Sequence, residues 1–110
     1  MARASTPEPS QNDVRMAQVK QDVATAAEQF PGDYSLFGRL MELSLTLAAN
    51  LEFDQALWVA DEMIAVAEGK SSLLPRRPRR YRGLGKRIVN HARLAREQIL
   101  EIREESETIS

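Results

Sequence analysis

Between Ser35 and Leu51, leucines stand at positions 36, 40, 43, 47 and 51, with Phe37, Met41 and Ala48 forming a second apolar row beside them. Intervals of four, three, four and four fit one face of a helix, whereas a strand would throw successive members of the set to opposite sides. Only Arg39, Glu42, Thr46 and Asn50 mark a polar edge, so this segment is expected to be the central and most buried helix. Asp33 or Ser35 can cap its start.

The flanking sequence repeats the pattern. Met16, Val19, Val23, Ala26, Ala27 and Phe30 share one arc, which predicts a helix from about Asp13 to Phe30, stopped by Pro31-Gly32. Asp54 is the expected N-cap of a third helix reaching Glu68, with Ala56, Val59, Ala60, Met63, Ile64, Val66 and Ala67 on its apolar side and Gly69 as its stop. The short link between the second and third helices implies an antiparallel hairpin. A last helix is expected to begin between Arg79 and Gly85 and to run to about Glu104 on the stripe Leu84, Ile88, Ala92, Ala95, Ile99 and Ile102.

At 110 residues there is room for a single core. The expected fold is therefore all-α, a small bundle of three to four helices with an antiparallel hairpin core and a long C-terminal helix. Its expected organisation is a disordered tail at 1–11, one helical domain at 12–105 with a basic loop at 70–85 before the last helix, and a frayed tail at 106–110.

Leu43, Ser44, Phe53, Ala56 and Ala60 sit near the spacing of the small and large packing positions of a tetratricopeptide hairpin, a resemblance that covers one unit at most. Leu51, Met63 and Glu68 stand where that repeat usually has glycine, alanine and proline, and no second copy is found. Such repeats need about three units for stability. The resemblance thus implies a helix hairpin and nothing further.

Charge is distributed far less evenly than the net value of −1 suggests. Residues 1–69 hold four cations and eleven acids, residues 70–96 hold ten cations and no acid, and residues 97–110 hold Arg103 against five glutamates. Within the middle block, residues 75–87 read Pro-Arg-Arg-Pro-Arg-Arg-Tyr-Arg-Gly-Leu-Gly-Lys-Arg. The two prolines oppose a helix over residues 75–78 and favour an extended start. Cations then open the last helix and glutamates close it, the reverse of what the helix dipole favours at each end, so local stability does not account for the order.

Arginine offers bidentate donors to phosphate, Tyr81 a face on which a base can stack, and the glycines a close backbone approach. Arg76, Arg77, Arg79, Arg80, Tyr81, Arg82, Lys86, Arg87 and Arg93 are accordingly the candidate contacts to a nucleic acid, RNA or DNA, bound through its backbone. The expected function is a non-enzymatic nucleic-acid-binding module or a small subunit of a nucleoprotein assembly. The alternative is a helical protein–protein adaptor or homodimer that uses the acidic hairpin and the last helix. Trp58 falls among Gln55, Asp61 and Glu62, off the apolar stripe, so it either lies over a neighbouring helix or the N-terminal tail, or anchors a protein partner. The acidic first block could also cover the basic segment from within the fold.

No catalytic constellation is visible. There is no cysteine, and His91, the single histidine, borders the apolar stripe of the last helix as a packed or boundary residue. Asp61-Glu62 and Glu104-Glu105 are adjacent, as solvated faces are. Gly83-Leu84-Gly85 before Lys86 has a faint likeness to a phosphate-cradling turn but lacks the preceding strand and spacing of a P-loop. Neither a metal, a cofactor nor a small-molecule substrate is expected. With no apolar leader or bilayer-length apolar run, a cytoplasmic chain without membrane contact is expected.

Overall fold

The computed structural model describes residues 10–30, 33–70 and 83–109. They form four helices: α1 (Gln11–Gln29), α2 (Asp33–Ala49), α3 (Phe53–Glu68) and α4 (Lys86–Ile109). There is no strand among the described residues, so the all-α bundle expected from the periodicity is the fold.

Ser10 opens α1, its Oγ accepting from the Asp13 amide at 3.1 Å. Helix α1 thus begins two residues before the expected start, within the span expected to be a tail. Val19, Val23 and Ala26 form its buried row. α2 and α3 pack along each other as an antiparallel hairpin, and α1 and α4 each pack against both members of the pair. No Cα of α1 comes within 8 Å of one in α4.

The expected rank of the helices is reversed, because α3 rather than α2 is the central element. α3 packs extensively on both α2 and α4, while α2 touches α4 only lightly. Small residues explain this: Ala56, Ala60 and Ala67, with Val59, Met63 and Val66, are all at most 1% exposed. They let helix axes approach from two sides. In α2, Leu36, Leu40 and Leu47 are buried, but Leu45 is 40% exposed and Leu51 is 62% exposed, beyond the helix end.

Two polar side chains enter the core with their hydrogen bonds made. Ser44 Oγ donates to the Met41 carbonyl at 2.9 Å. Gln55 Nε2 donates to Asn12 Oδ1 at 2.7 Å and to the Asn12 carbonyl at 3.2 Å, tying α3 to the start of α1. The expected N-cap of α3 is corrected by two residues: Glu52, not Asp54, precedes the helix, and its side chain makes no capping bond. Arg15 of α1 holds the Glu52 carboxylate instead, at 2.6 Å. That hydrogen bond, ahead of smaller opposing desolvation, raises the Arg15 pKa. Asp54 accepts from Asn12 Nδ2 at 3.2 Å in the first turn.

α4 starts at Lys86, after the expected window, and continues to Ile109, past the expected end at Glu104 and through most of the expected frayed tail. Ala92, Ala95 and Ile99 carry its buried stripe, Leu84 leads into it, and Ile102 is already 40% exposed. No helix among the described residues is long and apolar enough to cross a membrane.

Candidate nucleic-acid interface

Arg76, Arg77, Arg79, Arg80, Tyr81 and Arg82 lie outside the described residues. The structure describes the two points between which they run and the cations on either side. The first point is the end of α3. Gly69 adopts a left-handed φ of 76°, its amide donates to the Val66 carbonyl at 3.1 Å, and the Lys70 amide donates to the Ala65 carbonyl at 2.8 Å. This is a Schellman closure, in which glycine takes the left-handed position without a Cβ penalty. Lys70 leaves it with an exposed side chain.

The chain returns to the same helix end at Gly83. With φ at 81°, a Cβ on Gly83 would lie 2.4 Å from the Ala67 carbonyl oxygen and 2.9 Å from the Glu68 carbonyl carbon. Both are backbone atoms that cannot move aside, so only glycine fits. The Leu84 amide then donates to the Ala67 carbonyl at 2.8 Å, satisfying one of the orphan acceptors at the end of α3, and the Leu84 side chain is buried against the core. The glycine expected to admit a ligand's close approach instead admits the backbone of α3. Gly85, with φ at 95° and open space around it, supplies the carbonyl that accepts the first α4 bond, from Val89 at 3.1 Å.

The first turn of α4 holds Lys86 and Arg87 and no acid. Both are exposed, and neither makes an ion pair among the described residues. The cations that face α3 behave differently. Arg96 Nε meets Asp61 Oδ1 at 2.7 Å. Glu68 is shared, with Lys70 and Arg93 each 3.7 Å away, and the Arg93 side chain stays 59% exposed. Acids of the hairpin therefore neutralise the inner cations of the basic block and leave those of the first turn open. Glu68, Lys70, Gly85, Lys86, Asn90 and Arg93 line much of a cleft of about 410 Å³ at this junction.

Sequence reasoning missed Asp61 and Glu68 as partners of Arg96 and Arg93, because nothing local marks residues 35 and 25 positions apart as neighbours. It also missed the docking of Gly83, for which the signal was a glycine followed by an apolar residue just before a helix. His91, expected to be packed or at the boundary of the apolar stripe, is exposed on α4, beside Lys86, Arg87, Ile88, Asn90 and Leu94. Trp58 is half-buried against the core with the Lys20 ammonium of α1 5.5 Å from its ring centroid, the geometry of a cation–π contact within the fold. Among the described residues no group of three or more His, Cys, Asp or Glu side chains could hold a metal ion. Compared with protein-family models, with curated proteins and with solved structures, the chain matches none of them.

Proposed function

We propose that this chain is a non-enzymatic nucleic-acid-binding helical module, working alone or as a small subunit of a nucleoprotein assembly. Phosphates are met by Arg76, Arg77, Arg79, Arg80 and Arg82 together with Lys86 and Arg87. One observation carries the reading: ten cations and no acid lie between Lys70 and Arg96, in a chain that is acidic on both sides of them. A field segregated in this way draws a polyanion to one place and repels it elsewhere. The clamped ends at Lys70 and Gly83, and Lys86 and Arg87 without an ion pair among the described residues, support it. Binding is weakly sequence-specific, since phosphate contacts position a protein without reading bases. Arg93, already near Glu68, contributes only at the edge.

Salt tests this directly. Five side chains neutralising duplex phosphates give a slope of log K against log salt of about −4.5. Replacing Arg76, Arg77, Arg79, Arg80 and Arg82 with alanine is expected to remove most of that slope while the helical circular-dichroism signal stays. Binding to RNA and DNA oligonucleotides that survives unchanged in this variant overturns the proposal. Running single-stranded and duplex forms in parallel identifies the preferred nucleic acid.

A further inference from the structure

The outward face of α4 is covered by no other described element, and its chemistry is complementary to itself. Arg87, His91, Leu94, Gln98, Glu101 and Glu105 recur at alternating intervals of four and three residues, the spacing of a helix–helix seam, and all six are exposed. Leu94 lies near the middle, 58% exposed. Toward the start of the helix this side carries Lys86 and Arg87, and toward its end Glu97, Glu101, Glu104 and Glu105, none of which makes an ion pair among the described residues. The glutamates also sit three and four residues apart, where like charges repel along a helix. Both ends oppose the helix dipole.

We infer that a second copy of this chain covers this face, with the two α4 helices antiparallel about a two-fold axis at the level of Arg96. Charge complementarity fixes both the occupant and the direction. A parallel pair would set Arg87 beside Arg87 and Glu105 beside Glu105. The antiparallel pair sets Arg87 against the partner's Glu105, nine residues from the axis on either side, so pairing and phosphate compete for this one side chain, and His91 against the partner's Glu101, five residues from it. Leu94 faces the partner's Gln98, two residues from the axis on either side, so the two Leu94–Gln98 contacts flank the centre of the seam. Each helix start then receives the partner's acids and each helix end the partner's cations, which corrects both dipole mismatches at once. A seam along one helix of about 36 Å buries an area at the low end for specific interfaces, so the association is weak and salt-sensitive.

Sedimentation of the full chain at low salt, with no nucleic acid present, tests the pairing. The unaltered chain is expected to dimerise with concentration. Arg87→Glu and Glu105→Arg are each expected to raise the dissociation constant at least tenfold, because each creates two like-charge contacts per dimer. Mixing the two variants, or combining both changes in one chain, is expected to restore the dimer, since every repulsive pair becomes attractive again. Circular dichroism confirms that each variant keeps its helices. A chain that stays monomeric at every concentration, or reversals that fail to rescue one another, overturns the inference. The five-arginine alanine variant is expected to dimerise normally, so failure of this surface and failure of nucleic-acid binding are read separately.

Discussion

The end of α2 and the end of α3 are closed by the same hydrogen-bond pattern and by opposite kinds of residue. After α2, the Glu52 amide donates to the Leu47 carbonyl at 2.9 Å and the Leu51 amide to the Ala48 carbonyl at 3.0 Å. After α3, Lys70 and Gly69 make the corresponding bonds to Ala65 and Val66. The left-handed residue is Leu51 in one case, φ 63°, and Gly69 in the other. Leu51 faces solvent, and the chain goes straight on into α3. At Gly69 a second strand of backbone, Gly83 and Leu84, returns and docks on the last turn. The turn geometry tolerates either residue. Glycine is demanded at Gly83, where a second backbone packs against that helix end, and that end is where the basic segment leaves and rejoins the fold.

The sharpest way to break this comparison is Gly83→Ala. The new methyl would overlap the Ala67 carbonyl oxygen while the backbone is held left-handed, a conformation costing about 1–2 kcal/mol for an L residue before any overlap is counted. A loss of about 2–4 kcal/mol in chemical denaturation is expected, with the start of α4 losing amide protection before the α2–α3 pair does. A loss below about 1 kcal/mol would mean that the docked backbone moves aside freely, and the two helix ends would then be alike.

A smaller change tests the other end. Leu51→Gly removes the left-handed penalty at a residue with little packing to lose, but raises the entropy of the unfolded chain. The net expectation is a gain of about 0.5–1 kcal/mol, with no change at α4. Destabilisation would show that the Leu51 side chain packs on the molecule despite its exposure.

The parts of the fold that were legible in the sequence are those set by one-sided burial. Val19 and Val23, Leu36 and Leu40, Val59 and Val66, and Ala92 and Ile99 all report their helix through period alone. What was not legible depends on distant partners. Nothing near Asp54 says that Arg15, far back in the chain, will hold the Glu52 carboxylate beside the helix start. The rank of α3 over α2 depends on where alanines let two neighbours approach, whereas leucine content had favoured α2. The basic block was legible as a charge pattern, yet its division into paired Arg93 and Arg96 and open Lys86 and Arg87 follows from how α4 lies on α3.

The two helix ends also differ in how their acids are used, and the finest test lies there. Glu52 is gripped by Arg15 at 2.6 Å, with both side chains about two-thirds covered, while Glu68 stands 3.7 Å from each of two largely exposed cations. Contacts of the second kind contribute about 0–1 kcal/mol or less and are screened by salt. Glu68→Gln is therefore expected to shift stability by no more than about 0.5 kcal/mol. It leaves Lys70 and Arg93 without their counter-charge beside the open Lys86, so affinity for an oligonucleotide at low salt is expected to rise by about twofold to fivefold, in line with the Coulomb energy of one charge removed near a surface site. Unchanged affinity would confine phosphate contact to residues beyond this junction. A fall would mean that Glu68 positions Arg93 for binding, and the acid at this helix end would then serve the same ordering role that Glu52 serves at the other.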